Sequence, residues 1–293
     1  RGIEQIFNNI DRLKEFNPLY INITTHRSEM VYKTTADGLY QRISERSRPG
    51  TVAVAAAIQQ RYNIPTVPHM ICSGFSKVET EYALIDLHFL GIDNILVLRG
   101  DKAKHDTKYI PSENGYNHAC ELAQQVNDFN NGLLIDGTKT DYTYKTHFSY
   151  GVAGYPEKHE EAPNFDIDMF FLKHKVDMGA DYIVTQMCFD NNKIYNFINH
   201  CRQMGINVPI IPGLKPIVNK RQIALLPKAF HIELPNELTK ELEKCKTDDD
   251  VKQVGIEWCA MQAKDLIKQG IPSIHFYSHN ATESVRRTAE LVY

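Results

Sequence analysis

The chain has 293 residues, of which 42% are hydrophobic and 24% are charged, and its formal net charge is −3. This balance is ordinary for a soluble globular protein, and the lack of net positive charge argues against a nucleic-acid-binding function. No apolar run approaches the roughly 20 residues that span a bilayer, and the N-terminus shows no signal peptide.

Strand-like and helix-like segments alternate along the chain. Runs rich in Ile, Val, Tyr and Phe predict seven strands, at Leu19–Thr24, Pro65–Cys72, Asn94–Gly100, Phe148–Tyr155, Asp181–Phe189, Val208–Gly213 and Ser273–Ser278. Helix-like patterns cover Ile3–Phe16, Ala36–Tyr62, Lys77–Leu90, Asn117–Phe129, Asp166–Gly179, Lys193–Gly205, Lys220–Ala229, Asn236–Cys245, Asp249–Gly270 and Thr282–Val292. Repeated strand–helix units predict a parallel sheet with helical crossovers.

The spacing of these units indicates a particular α/β fold. Four predicted helices are followed by a glycine that can take the left-handed conformation closing a helix, namely Gly91, Gly179, Gly205 and Gly270. No strand is followed by a GxGxxG loop. We therefore predict a single-domain TIM (β/α)8 barrel over residues 1–293. Because seven strands are one too few and the chain opens on a helix, we expect the first barrel strand to be missing from this sequence. Gly132–Thr146 is interpreted as an insertion with the form of a hairpin.

Six cysteines are spread through the sequence without a CxxC pair or the spacing of a zinc site. We therefore expect free thiols in a reducing cytoplasm and no bound metal ion. A catalytic cysteine is the less favoured alternative.

The predicted strands end in polar and aromatic residues, at the edge where barrels of this type place their active sites. The strand-end positions are Thr24, Thr25, His69, Cys72, Arg99, Gly100, Asp101, Tyr155, Pro156, Glu157, His159, Gln186, Pro212, Gly213, Lys215 and Tyr277. The pattern favours binding of a large polar cofactor over covalent catalysis by the protein itself. Core roles for His69 and Gln186, and simple packing for Tyr155, stay open on the residues alone. Lys175 fits a solvated helix face, and a Schiff-base role for Lys215 is a further alternative.

Seven short segments, taken in order, resemble the methylenetetrahydrofolate reductase family over essentially the whole chain. They are Pro68-His69-Met70-Ile71-Cys72, Leu98-Arg99-Gly100-Asp101, Ala153-Gly154-Tyr155-Pro156-Glu157-Lys158-His159, Leu172–Asp181, Val184-Thr185-Gln186, Ile211-Pro212-Gly213 and His275-Phe276-Tyr277. Members of this family are flavoproteins with a (β/α)8 barrel. The resemblance implies reduction of 5,10-methylenetetrahydrofolate to 5-methyltetrahydrofolate, with NADH or NADPH and the folate reacting in turn with one FAD. The product would supply methyl groups for methionine synthesis.

The resemblance also implies the roles of individual residues. Cofactor contacts are implied at Thr24, Thr25, His69, Arg99, Gly100, Asp101, Tyr116, Tyr155, His159, Ala162, Asp168 and Lys175. Substrate contacts are implied at Asp101, Gln186, Gln222 and Tyr277, with Asp101 and Gln186 as the catalytic residues. Arg99, His159 and Lys175 suit a diphosphate, and a carboxylate at Asp101 can accept hydrogen bonds from the pterin N–H groups.

Three departures from the family pattern carry their own expectations. The family's general-acid glutamate, in a Phe-Glu-Phe-Phe-Pro-Pro-like first strand, has no match here. We therefore expect this chain not to reduce folate, whereas a form with that strand does. The family's arginine after the last strand is Ala281, so another cation, Lys215 or Lys220, is expected to anchor the substrate's glutamate tail. An aromatic residue of the family falls at about Leu226, which predicts weaker stacking on the substrate.

The remaining expectations concern partners and alternatives. We expect a cytoplasmic homo-oligomer of the bacterial type, without a C-terminal regulatory domain, that binds neither nucleic acid nor membrane. Two other functions stay open. One is a different barrel flavoprotein, such as a proline dehydrogenase-like oxidoreductase, and the other is a non-catalytic flavin- or folate-binding subunit.

Overall fold

The computed structural model describes residues 2–46, 48–103, 106–140, 145–278 and 281–293, and strands and helices alternate along most of this length. The strands are β1 (Ile21–Ile23), β2 (Glu29–Thr34), β3 (Tyr40–Glu45), β4 (Thr66–Ile71), β5 (Asn94–Leu98), β6 (Ser149–Gly154), β7 (Tyr182–Met187), β8 (Ile210–Leu214) and β9 (His275–Phe276). The helices are α1 (Ile3–Asp11), α2 (Thr51–Tyr62), α3 (Lys77–Phe89), α4 (Ala119–Asn130), α5 (Phe165–Asp177), α6 (Asn191–Gln203), α7 (Arg221–Phe230), α8 (Asn236–Lys244), α9 (Asp248–Lys268) and α10 (Thr282–Val292).

The chain divides into two compact units. The first unit comprises residues 19–151 and 178–180, and the second comprises residues 1–18, 152–177 and 181–293. In the first unit β4 pairs in parallel with both β1 and β5. In the second unit β8 pairs in parallel with both β7 and β9, and the register between β7 and β8 shifts between Val184 and Met187. Parallel strands bring their carboxyl ends to one edge, which positions the side chains described below.

The predicted α/β class and the seven predicted strands are confirmed. Each predicted strand is present with somewhat shorter bounds, and α1 precedes the first of them. The four glycines expected to close helices all have positive φ, between 67° at Gly91 and 112° at Gly179. The expected hairpin in the insertion is closed by an antiparallel bridge between Leu133 and Lys139, while residues 141–144 lie outside the described residues.

The helix predicted over Ala36–Tyr62 is wrong for its first half. Two antiparallel strands, β2 and β3, form a hairpin there, and only α2 is helical. Asp37-Gly38 makes the turn, with φ of +79° at Gly38, and the Thr35 N–H donates to the Leu39 carbonyl at 2.7 Å. Asp-Gly between runs of β-branched and aromatic residues is a strong hairpin signal. The helix prediction was wrong because it extended the pattern of the following alanine-rich segment back over this turn.

Strand β5 is apolar along most of its length, and the chain becomes polar directly after the strand ends. Ile95, Leu96 and Val97 are at most 4% exposed, so this strand is buried on both faces as its unbroken apolar run predicts. Helix α3, which precedes it in the chain, begins after Ser76, whose side chain accepts from the Glu79 N–H in a capping box. The apolar run ends at Leu98, and the chain then turns into the polar segment that begins at Arg99.

Candidate functional site

The first unit gathers its predicted site residues around the ends of β1, β4 and β5. Thr24 and Thr25 directly follow β1, and the Thr25 hydroxyl donates to the backbone carbonyl of His69 on β4. Asp101, two residues beyond Arg99, has an exposed side chain. The parallel register therefore places residues from three sequence regions at one sheet edge, as predicted.

A serine that the sequence analysis did not single out holds this edge together. The Ser73 N–H donates to the Arg99 carbonyl at 2.9 Å, and the Ser73 hydroxyl donates to the Asp101 carbonyl at 2.6 Å. Ser73 is 1% exposed. Its hydrogen bonds fix the path of the Arg99–Asp101 turn, so the Asp101 side chain projects from a defined backbone.

Tyr109 lies against Arg99 and is hydrogen-bonded to Tyr116. The guanidinium carbon of Arg99 is 4.7 Å from the ring centroid of Tyr109, and the Tyr109 hydroxyl donates to the Tyr116 carbonyl at 2.8 Å. Burial raises the pKa of both phenols to about 12, so both stay protonated near neutral pH. Tyr116, predicted as a cofactor contact, thus belongs to the same cluster as Arg99 through Tyr109.

The second unit holds the other predicted cofactor residues in one loop after β6. The backbone N–H of His159 donates to the Asp168 carboxylate at 2.9 Å, and the ammonium of Lys158 donates to the carbonyls of His159 and Ala162 at 2.9 and 2.6 Å. The rings of Tyr155 and His159 meet edge to face at 4.8 Å. The structure therefore brings these residues together, with Asp168 acting as a backbone clamp for the loop.

The imidazole of His159 has a defined hydrogen-bonding pattern. Its Nδ1 accepts from the backbone N–H of Glu161 at 3.2 Å, which leaves Nε2 to carry the ring proton in the neutral form. Lys175, from α5, donates to the Ala153 carbonyl at 2.8 Å. Both side chains are anchored donors, which is the chemistry that the sequence analysis expected for a diphosphate.

Gln186 and Tyr277 lie at the ends of β7 and β9. The Gln186 side-chain oxygen accepts from the Met187 N–H at 2.9 Å, and the Tyr277 hydroxyl donates to the Thr185 carbonyl at 2.8 Å. The register shift of β7 includes Gln186, and such irregularities re-aim side chains. A Cβ on Gly213 would lie 2.5 Å from the Tyr277 ring and 3.4 Å from the Gln186 carbonyl carbon, so strand β8 brings the two residues to one place.

Gln222 is positioned separately, in the first turn of α7. Its side-chain oxygen accepts from the Val218 N–H at 2.8 Å, and this bond secures the segment between β8 and α7. Leu226, the position expected to carry a stacking aromatic, is 3% exposed and belongs to an apolar core cluster. Of the two lysines expected to replace the family arginine, Lys215 is 3% exposed whereas Lys220 is exposed.

A partly buried ion pair that joins the loop after β6 to α6 was missed by sequence reasoning. The Lys193 ammonium donates to the Glu157 carboxylate at 2.5 Å and also to that of Glu233. The Glu157 side chain is 8% exposed, and burial raises its pKa while the bond to Lys193 opposes the rise. The backbone N–H of Glu233 adds bonds to both Glu157 oxygens at 3.2 Å. No sequence signal links these positions, because Lys193 lies 36 residues from Glu157.

We expect Lys193→Met to lower the free energy of unfolding by about 1–3 kcal/mol, because the Glu157 carboxylate would stay buried without its cation. Urea denaturation at neutral pH measures this loss. The double variant Glu157→Gln/Lys193→Met removes both charges and keeps an acceptor for the Glu233 N–H, so it should regain most of the stability. Equal losses in the single and double variants would contradict this account.

The six cysteines are free thiols, as expected. Burial raises the pKa of Cys72, Cys188 and Cys259 to about 12, which makes these thiols poor nucleophiles. Over the described ranges, no group of three His, Cys, Asp or Glu side chains is arranged to hold a metal ion. In the same part of the chain, every helix is too short or too polar to cross a bilayer.

Comparisons with known proteins agree on one family. A family model described as methylenetetrahydrofolate reductase matches residues 1–291. The chain is 31% identical over 293 residues to "Methylenetetrahydrofolate reductase (NADH) 1" of Arabidopsis thaliana, covering 97% of this chain and 44% of that protein. It is 27% identical over 283 residues to the "5,10-methylenetetrahydrofolate reductase" of Pectobacterium carotovorum, covering 96% of this chain and 82% of that protein. The chain therefore spans less than half the length of the plant relative.

A solved structure supports the fold. A protein from Clostridium thermocellum, described as binding two copies of 5-methyl-5,6,7,8-tetrahydrofolic acid, matches with a TM-score of 0.57. The match covers 99% of this chain and 87% of that chain at 14% sequence identity. At this identity the likeness bears on the fold alone.

Proposed function

The chain belongs to the methylenetetrahydrofolate reductase family, and we propose that it reduces 5,10-methylenetetrahydrofolate to 5-methyltetrahydrofolate with NADH or NADPH. The observation that carries the proposal is the family match over residues 1–291, which includes every candidate site residue. The nucleotide and the folate are proposed to react in turn. The 5-methyltetrahydrofolate would then serve as methyl donor for methionine synthesis.

FAD is the proposed cofactor, and when bound it would supply hydride transfer between nucleotide and folate. The described residues suit such a group. Thr24 and Asp101 are exposed at strand ends, and Arg99 is held against Tyr109. In the second unit, Lys175 and the loop around His159 present anchored donors. Cations and N–H groups bind a diphosphate, while hydroxyls and carboxylates bind a polar ring system and its ribityl chain.

The proposed catalytic residues orient the folate through hydrogen bonds. The Gln186 oxygen is bonded to the Met187 N–H, so its NH₂ group is the end that faces the substrate and donates to a carbonyl oxygen. The exposed carboxylate of Asp101 accepts hydrogen bonds from pterin N–H groups. The negative charge of Asp101 would disfavour the additional negative charge of a reduced flavin, and it would therefore favour hydride transfer from the flavin to the folate. Tyr277 is fixed by its bond to Thr185 and bounds the pterin-binding space.

The proposal also includes the cellular compartment, the domain organisation and the oligomeric state of the protein. We place the protein in the cytoplasm, because six free thiols suit a reducing compartment. We further propose that residues 1–293 act as one catalytic domain and that the protein is a homo-oligomer.

The proposed function is tested by the visible spectrum of the purified chain loaded with FAD. Anaerobic addition of NADH, and separately of NADPH, should bleach the flavin band with at least one nucleotide. Addition of 5-methyltetrahydrofolate should perturb the oxidised flavin spectrum, which reports folate binding without turnover. Recovery of the oxidised flavin band on addition of 5,10-methylenetetrahydrofolate would support the proposed reduction and overturn the expectation, drawn from the unmatched family glutamate, that this chain does not reduce folate.

The two alternative functions give different results in the same assay. Bleaching by proline, with no response to folate, would replace the proposal with a proline dehydrogenase-like activity. Binding of FAD without bleaching by either nucleotide would indicate a non-catalytic binding subunit. Failure to bind FAD at all would refute the proposed cofactor.

A further inference from the structure

Lys215 of the second unit is a buried cation that the proposed function does not use. It directly follows β8 and is 3% exposed, and no atom in the described part of the chain accepts a hydrogen bond from its ammonium. Buried charges in proteins are as a rule paired, because an unpaired ion is costly to move out of water. A buried ammonium without an acceptor is therefore expected where a ligand supplies one.

A neighbouring thiol does not neutralise this charge. Cys259 of α9 opposes the fall in the pKa of Lys215 that burial causes. Burial raises the pKa of Cys259 itself to about 12, so the thiol stays protonated and uncharged near neutral pH. Over the described ranges no carboxylate pairs with Lys215, whereas the ammonium of Lys193 contacts two carboxylates. The positive charge of Lys215 is thus available to a ligand.

The strand register places Lys215 beside the residues that are proposed to hold folate. Strands β8 and β9 pair in parallel, and the Tyr277 N–H donates to the Leu214 carbonyl at 2.9 Å. Lys215 and Tyr277 are therefore the next positions on two neighbouring strands. Two residues before Lys215, a Cβ on Gly213 would lie 2.5 Å from the Tyr277 ring and 3.4 Å from the Gln186 carbonyl carbon. The end of β8 thus joins Lys215 to both proposed substrate contacts.

Helix α9 packs directly on the segment that follows Lys215. A Cβ on Gly255 of this helix would lie 2.0 Å from the Ile217 carbonyl oxygen and 2.7 Å from the Ile217 nitrogen. Backbone packing this close leaves no room for a ligand between the helix and the segment. Because parallel strands bind ligands at their carboxyl ends, a ligand is expected to reach Lys215 from the strand-end edge that carries Gln186 and Tyr277.

The ligand that suits this position carries an anionic oxygen. Hydrogen bonds between two charged groups are roughly twice as strong as neutral ones, so an ammonium prefers a carboxylate to a ring carbonyl. Folate has carboxylates on its glutamate tail, whereas its pterin ring offers neutral acceptors.

We propose that Lys215 is a substrate-binding residue whose ammonium holds a carboxylate of the folate glutamate tail. The inference rests on the proposed function, because it takes folate as the substrate. It assigns the tail to the buried Lys215 and not to the exposed Lys220. The phosphates of the nicotinamide nucleotide are a second source of anionic oxygen, and the test separates the two. Lys215 in this account binds substrate and takes no part in hydride transfer.

The test compares folates with and without charged tails. 5-Methyltetrahydrofolate, and its analogue in which both glutamate carboxylates are amides, are titrated into the FAD-loaded chain and followed by the flavin spectrum. Lys215→Met should raise the dissociation constant of 5-methyltetrahydrofolate by roughly 10- to 100-fold and leave that of the diamide unchanged. Lys264→Met, which removes an exposed lysine of α9, is the matched control and should change neither constant.

Urea denaturation of the same variants separates a binding role from a structural one. Lys215→Met is expected to unfold at a higher urea concentration than wild type, because the variant no longer buries a charge. Weaker binding of folate by a more stable protein supports a binding role for Lys215. Lower stability together with weaker binding of both folate compounds would mean that Lys215 only supports the fold, and would overturn the proposal.

Other results would also overturn the assignment. Weaker binding of NADPH by Lys215→Met, with unchanged binding of NADH and folate, would assign the ammonium to a phosphate. Loss of folate affinity in Lys220→Met instead would assign the tail to the exposed lysine, and unchanged affinity in Lys215→Met would remove the site.

The tail fragment of folate tests the site independently of the flavin. N-(4-aminobenzoyl)-L-glutamate is titrated into wild type and Lys215→Met and followed by calorimetry. Heat of binding with wild type and not with Lys215→Met would support the site even if the chain fails to bind FAD or to reduce folate. The same result with both proteins would overturn the role of Lys215 while leaving the proposed reduction untouched.

Discussion

Gly213→Ala is expected to weaken binding of 5-methyltetrahydrofolate by tenfold or more and to lower the free energy of unfolding by about 3 kcal/mol. The added Cβ would lie 2.5 Å from the Thr185 carbonyl oxygen and 2.5 Å from the Tyr277 ring. Both distances are far below van der Waals contact, and one of the two neighbours is backbone. The strand and the ring must therefore move apart, and Gln186 lies on the strand that moves.

Spectral titration of folate and urea denaturation measure the two effects of Gly213→Ala. Tyr277→Phe is the comparison, because it removes only the hydroxyl bond to Thr185 and leaves the ring in place. It should cost about 1 kcal/mol and change folate binding little. Gly213→Ala/Tyr277→Leu relieves the ring clash but not the carbonyl clash, so it should regain stability only in part. Wild-type affinity and stability in Gly213→Ala would refute this account of the site.

Lys215→Met is expected to raise the free energy of unfolding by about 1–2 kcal/mol at neutral pH. Lys215 directly follows β8 and is 3% exposed, and no described atom accepts a hydrogen bond from its ammonium. Burial lowers its pKa from the ordinary value of 10.5, while the nearby Cys259 thiol opposes this shift slightly. Methionine has a similar length and needs no hydrogen bond, so it removes the cost of burying a charge.

The pH dependence of this variant has a definite sign. Because the folded-state pKa of Lys215 is lowered, the unfolded chain binds more protons than the folded chain between that pKa and 10.5. Stability of the wild type relative to Lys215→Met should therefore rise with pH through this window. Lys220→Met, which removes an exposed lysine, is the control and should show no such trend. A Lys215→Met protein that is less stable than wild type would mean that the ammonium has a compensating interaction.

The glycine-closed helices and the parallel strands could be predicted because their signals are local. Each predicted strand is an apolar run whose period and length already distinguish it from a helix. The order of polar residues at the strand ends then follows from the topology, which is why Thr25 and His69 were expected together and are joined by a hydrogen bond. The first half of the segment Ala36–Tyr62 was mispredicted because a local hairpin signal at Asp37-Gly38 competed with an alanine-rich stretch.

The sequence by itself determined the α/β class, the family and the strand-end residues, because periodicity, turn chemistry and short motifs are written over a few neighbouring residues. Only the tertiary structure decided which distant side chains meet. Arg27 bonds to Ser73 across 46 residues, and Lys193 bonds to Glu157 across 36. Lys215 was a strand-end lysine in the sequence and is a buried cation in the fold. Burial and contact depend on the packing of whole elements, and no local pattern encodes them.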